Sequence, residues 1–215
     1  MKVAIGYKII AGPWGGGNLF VTSLRDFLLT QGHSVVFDLI DDDIDIILII
    51  DPRNNNPAVT FSSKDIIRYI SKKNNKSIVV HRINECDERK NSKFMNIRLR
   101  LINSISDHTV FIGSWLKNLN LWNPLINNSS VILNGANKKI FNMNSKESWT
   151  KNEKLRLVTH HWAGNIMKGF DVYSMIDEML ASDKWNKKIS FTYIGNLPKG
   201  FKFKNSSYSP PMQGK

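Results

Sequence analysis

Six short apolar runs, at residues 3–7, 34–37, 45–50, 77–81, 109–112 and 130–133, are near-continuous in Val and Ile rather than alternating with polar residues. A strand that is apolar on both faces must be covered on both faces, the condition met by a parallel sheet clad in helices. The stretches between them, at residues 18–31, 62–73, 87–104 and 114–121, have helical periodicity. Asn18 suits a helix N-cap, Gly32 a C-cap, and Ser62 to Asp65 a capped helix start. Strand and helix therefore alternate. The fold class this predicts is α/β, with an open, Rossmann-like doubly wound parallel sheet in the N-terminal part.

Residues 142–154 are polar and lose the periodicity, which marks a linker between an N-terminal domain, residues 1–141, and a second unit, residues 155–215. That unit opens with a new strand–helix–strand pattern at residues 155–159, 167–181 and 189–194. Three elements leave most of a parallel pair's apolar surface bare. The expectation is the first part of a second Rossmann-like domain, with residues 151–215 poorly ordered if made alone.

Composition narrows the partners. The chain of 215 residues has a formal charge of +12. Residues 1–150 hold 19 Lys and Arg against 13 Asp and Glu, and residues 151–215 hold 11 against 5. A basic surface favours nucleotide-sugars, acidic lipid headgroups or nucleic acid, without choosing among them. The six Trp residues do not interleave with basic residues as a single-strand platform would, so no nucleic acid is expected. The longest apolar run, residues 44–50, contains Asp45 and reads as a buried strand rather than a membrane span. Met1 and Lys2 lead straight into a strand pattern, and Cys86 is the single cysteine. Both features fit a cytoplasmic protein.

Three segments carry candidate chemistry. In the first, the strand ending near Thr159 is followed by a polar loop and then Lys168 and Gly169 at a helix start. A lysine there offers a diphosphate a point charge and a row of free backbone N–H donors. His161 and Asn165 lie in the same loop. Adjacent histidines, His160 and His161, point opposite ways on an extended segment, and no ligand set completes a metal site.

The second segment is the glycine loop from Gly12 to Gly17 between the first strand and helix. There Gly15, Gly16 and Gly17 allow close backbone approach to phosphate oxygens. Its spacing is not that of a dinucleotide fingerprint, although Asp38 could imitate the ribose-binding acid. The third leaves the C-terminal end of a predicted strand, the edge at which open α/β sheets bind ligands. It packs a candidate base, His81, with Arg82, Asn84, Glu85 and Asp87. The helix that follows carries Arg89, Lys90, Lys93, Arg98 and Arg100, with Phe94, Ile97, Leu101 and Ile105 expected as its core face.

In this order the motifs resemble the GT-B-fold glycosyltransferases of glycosyltransferase family 4. The N-terminal strand, the Gly15–Gly17 loop and the run Gly32-His33-Ser34-Val35 are similar to the opening of that family's first domain. Residues 133–141, with Asn134, Gly135 and Phe141, resemble its interdomain segment. Lys168, Gly169, Phe170 and Asp171 resemble the opening of its donor domain, and Tyr193-Ile194-Gly195 its second strand. The family's Arg ahead of the Lys-Gly pair has no counterpart here, and its paired-glutamate motif is not found up to Lys215.

The resemblance implies a retaining, metal-independent transferase without a cofactor, which moves sugar from a nucleotide-sugar to a carbohydrate or lipid-linked acceptor. The donor diphosphate would lie at Gly15, Gly16, Gly17, His161, Asn165, Lys168 and Gly169. His81 would be catalytic, with Arg82, Asn84 and Glu85 on the acceptor side. A cytoplasmic protein in peripheral contact with the inner face of the membrane fits that chemistry. A nucleotide-dependent oxidoreductase using Gly12 to Gly17 and Asp38, and a non-catalytic basic binding module, are the alternatives.

Overall fold

The computed structural model describes residues 1–12, 14–144 and 146–212. It divides the chain into two units, Met1–Ile10 with Gly16–Gly135, and Ala11–Gly15 with Ala136–Lys215. In the first unit β1 (Lys2–Ile5), α1 (Gly16–Thr30), β2 (Ser34–Val36), β3 (Ile46–Ile49), α2 (Ser63–Lys72) and β4 (Ile78–Ile83) follow one another. Then come α3 (Asp87–Lys90), α4 (Met95–Asn103), β5 (His108–Phe111) and β6 (Asn128–Val131). The strands form one parallel sheet in the order β2-β1-β3-β4-β5-β6.

The continuous apolar strands do what their composition requires. On β3, Ile47 and Ile49 pack with Val79 and with Ile66 and Tyr69 of α2. Ile46, Leu48 and Ile50 turn the other way and cluster with Val3 and Ile5 of β1 and Val21 of α1. Helices thus cover both faces, and each fully buried aliphatic contributes about 1.5–3 kcal/mol. Ser62 and Asp65 close a full capping box on α2. Gly32 ends α1 at φ +75°, a conformation that favours glycine.

The structure corrects two expectations. Residues 87–104 are not one helix but α3 and α4, separated by left-handed residues Asn91 (φ 49°) and Phe94 (φ 71°). The buried stripe of α4 is Met95, Leu99 and Asn103; Met95 and Leu99 pack with Cys86, Phe111, Leu116 and Leu121, and Asn103 donates to the Thr109 hydroxyl (2.7 Å). Phe94, Ile97 and Leu101, expected in the core, are 69%, 59% and 68% exposed. Both stripes have helical spacing, and only tertiary packing chooses between them. Asn18 is the other correction. It lies inside α1, where its side chain accepts from the Ile10 N–H (2.8 Å) and donates to the Ile10 carbonyl (2.9 Å), tying loop to helix.

The second unit has its own parallel sheet, ordered β7 (Leu155–His161), β8 (Ile189–Gly195), β9 (Ser207–Ser209). The helices α5 (Phe170–Met179) and α6 (Asp183–Asn186) lie between β7 and β8 in sequence. The core is mostly aromatic. Phe170 and Tyr193 are fully buried and join Phe191, Tyr173, Phe201 and Phe203. Ring centroids such as Phe170–Phe201 (5.0 Å) and Phe201–Phe203 (4.9 Å) meet edge to face, the preferred aromatic geometry. Leu157 of β7 faces this cluster, whereas Val158, on the opposite face, is 67% exposed.

Candidate functional site

In the first sheet β1 is bonded to β2 on one side and to β3 on the other. That reversal of direction is a topological switch point, where open α/β sheets form a ligand crevice at the carboxyl ends of the strands. Asp51, just past β3, is held there by a bidentate contact from Arg53 Nε (2.9 Å) and Nη2 (2.5 Å) and by Asn56 Nδ2 (2.8 Å). Burial pushes the Asp51 carboxyl up, but the bonds from Arg53 and Asn56 outweigh it and hold the group below its ordinary value. Arg53 is raised by its bonds to Asp51, with Glu85 adding a smaller attraction. Burial, then the Asp51 charge, raises Tyr7 beside them, so its hydroxyl stays protonated at neutral pH. Sequence reasoning missed this cluster. Its signal is an acid immediately after a buried apolar strand.

The neighbouring strand β4 carries His81 and Arg82. His81 is completely buried, pairs in register with Thr109 of β5, and has its Nδ1 3.4 Å from Asn103 Nδ2. Burial pushes its imidazole down to about 4, so the ring is neutral at physiological pH. It is placed as a core residue inside the sheet, short of the edge, and presents no atom to solvent.

Arg82, one residue on, is only 6% exposed. Its guanidinium stacks 3.8 Å from the Phe20 ring centroid of α1, and its Nη2 donates to Asn134 Oδ1 (2.8 Å). Nη1 is buried with no hydrogen-bond partner among the described residues. Burial pulls its pKa down to about 10. A buried cation left without a carboxylate is costly and gains from an incoming anion. Asn84 and Glu85 follow on the loop, where the Asn84 carbonyl accepts from Arg89 and Glu85 Oε1 from the Cys86 N–H (3.3 Å).

The glycine loop is divided between the units. Gly16 and Gly17 open α1, and a Cβ built on Gly16 would meet nothing within 4 Å. Gly15 belongs to the second unit, where a Cβ would come within 2.8 Å of the Trp162 ring. Trp14 packs on the same ring at 5.3 Å. Asp38 accepts from the Ile40 N–H (3.0 Å) in a local turn.

In the second unit the structure gathers the remaining predicted residues on one strand–turn–helix. His161 ends β7, and its Nε2 is 2.8 Å from the Tyr173 hydroxyl of α5. Partial burial lowers the His161 pKa, and the charges of Lys168 and His160 add to the effect. The ring is therefore neutral at pH 7, with Lys168 near enough to act on it. Asn165 accepts from the Met167 N–H (2.9 Å) and caps the short 3₁₀ turn Ile166–Lys168. Gly169 takes φ +90° to start α5, leaving the first N–H groups of that helix free of intrahelical partners. Lys168 is half-buried beside them; its backbone N–H donates to the Asn165 carbonyl (2.9 Å), and its ammonium makes no hydrogen bond or ion pair among the described residues.

Gly195 closes the neighbouring strand at φ +143°, where a Cβ would fall 2.0 Å from the His161 carbonyl oxygen. Only glycine permits that approach. Among the described residues no group of three His, Cys, Asp or Glu is placed to hold a metal ion. Protein-family models and curated proteins were compared with the chain, and none matches it.

Proposed function

We propose that the chain is a glycosyltransferase-type protein whose second unit takes the diphosphate of a nucleotide-sugar. The carrying observation is Lys168, uncommitted beside the bare N–H groups of α5 and the neutral His161. A helix start with a free lysine offers a diphosphate both hydrogen bonds and charge, and asks for no metal. Such donors stabilise negative charge as it develops on the leaving diphosphate, the step on which glycosyl transfer depends. The likeness of the motif order to glycosyltransferase family 4 supports this reading.

On the first unit, the C-terminal edge of the sheet is the acceptor side. Arg82 supplies a cation whose side chain, among the described residues, hydrogen-bonds only to Asn134, and Asn84 and Glu85 lie at the same strand end. The burial of His81 favours a supporting role, setting the β4 end from below, over direct contact with an acceptor.

The test is calorimetric titration of the chain with a nucleoside diphosphate. Lys168→Ala should weaken binding by about 1.5–3 kcal/mol, the range of a charge-assisted hydrogen bond. Equal binding by the parent chain and the variant would remove Lys168 from the site.

A further inference from the structure

We propose that the outward face of α4 docks the chain onto an anionic lipid surface. This gives a face to the peripheral contact expected from the sequence, and it holds whether or not the chain transfers sugar. The core takes Met95, Leu99 and Asn103, so a second apolar stripe of Phe94, Ile97 and Leu101 is left in solvent. Helical spacing puts Arg98 on one side of this stripe and Arg100 on the other. Both arginines are exposed, and neither is salt-bridged among the described residues. The stripe continues across a groove of about 430 Å³ to Ile126, with Asn120 and Asn123 along it. Leu125 stands beyond, 91% exposed.

Charge decides the occupant. From Arg89 to Gly135 the sequence has six Lys or Arg and one carboxylate, Asp107, which accepts from the Val79 N–H (2.7 Å). The nearest other acids are Asp87, which accepts from the Met95 and Asn96 N–H groups, and Glu88, bound by Asn96 Nδ2 (3.0 Å). A nucleic-acid face would gain little from three large apolar side chains, since its affinity comes from phosphate contacts. Aliphatic and aromatic side chains flanked by arginines match a bilayer interface, where the former enter the acyl boundary and the latter meet acidic headgroups. Among the described residues no helix is long and apolar enough to cross a membrane, so contact through this face would be peripheral.

Sedimentation of the full chain with lipid vesicles tests the proposal. The chain should partition onto phosphatidylcholine–phosphatidylglycerol vesicles at least tenfold better than onto phosphatidylcholine alone. The Arg98→Gln/Arg100→Gln pair should weaken anionic partition about twenty-five-fold, since each basic residue near such a surface is worth about fivefold. Ile97→Glu/Leu101→Glu should weaken it by a further tenfold or more, from lost apolar burial. All four side chains are exposed, so unchanged unfolding midpoints will show that the variants still fold. Absence of partition onto anionic vesicles, or partition that neither pair changes, would overturn the proposal. So would a concentration-dependent dimer that Ile97→Glu/Leu101→Glu abolishes, since it would give the stripe to a second copy of the chain.

Discussion

The C-terminal edges of the two sheets carry similar chemistry in opposite states. At the first, nearly every charge is engaged. Asp51 is locked to Arg53 and Asn56, Arg82 is buried against Phe20 and bonded to Asn134, and His81 lies in the core. At the second, the Lys168 ammonium has no hydrogen-bond or ion-pair partner among the described residues, and α5 begins on a left-handed glycine with its amides bare. The first edge is pre-organised by these bonds, with the buried Arg82 Nη1 left as its one unpaired guanidinium nitrogen among the described residues. The second is electrostatically unsatisfied, and an anion completes it. The same difference extends to the cores. Helices cover both faces of the first sheet, whereas the second rests one face on an aromatic cluster around α5.

That contrast can be broken first at Gly195. Replacement by Ala forces a Cβ into the His161 carbonyl at an unfavourable φ, and should cost about 3–4 kcal/mol. Hydrogen exchange should show β7 to β9 losing protection while β1 to β6 keep theirs. Uniform loss in both sheets would mean that the units are not energetically separate.

The two stripes of α4 give the next largest effect. Leu99→Ala, at 1% exposure, should destabilise by about 2–5 kcal/mol, and Leu101→Ala, at 68%, by no more than about 0.5 kcal/mol. Denaturant unfolding of both variants decides the matter, and equal losses would contradict the observed phase of the helix.

Asp177 sharpens the account of the second unit. This buried carboxylate accepts from the backbone N–H groups of Lys204 (2.9 Å), Asn205 (2.9 Å) and Ser206 (2.7 Å), and so holds the approach to β9. Burial pushes its pKa up, but the hydrogen bonds from Ser206, Lys204 and Asn205 outweigh it, and the net shift is downward. Its contribution is therefore complete above its unfolded value and is lost as pH falls toward the folded one. Asp177→Asn should cost about 1.5–3 kcal/mol at neutral pH and flatten the acid limb of the second unit's unfolding. An unchanged acid limb would assign that limb to other carboxylates.

The smallest effect is expected at Gly16. A Cβ there meets nothing, and its φ is not positive, so Gly16→Ala should be neutral or stabilise α1 by up to about 1 kcal/mol. If the same variant weakens diphosphate binding, the glycine is there for a ligand rather than for the fold.

Much of this was legible in the sequence because the strands of the first sheet are apolar on both faces, a pattern with few other solutions. Runs such as residues 45–50 and 77–81 locate β3 and β4 to within about two residues, and the capping box at Ser62 locates the start of α2. Lys168 and Gly169 were legible as a helix start because glycine there has a backbone job. The phase of α4 was not, because Met95-Leu99 and Ile97-Leu101 are equally good apolar pairs and the break at Asn91 and Phe94 resets the helix. β9 was hidden because Ser207–Ser209 has no apolar alternation and is recruited by pairing with β8. The depth of His81 was also hidden. Periodicity shows that a residue lies on a strand but not how far it sits below the edge, and a polar residue in an apolar run reads as a site.

The most direct test of the central claim is a hydrogen-exchange footprint of the full chain with and without a nucleoside diphosphate. The account predicts added protection over residues 160–172, from the end of β7 into the first turn of α5, and its disappearance in Lys168→Ala. Protection confined to residues 6–18 and the neighbourhood of Asp38, unchanged by that substitution, would contradict it.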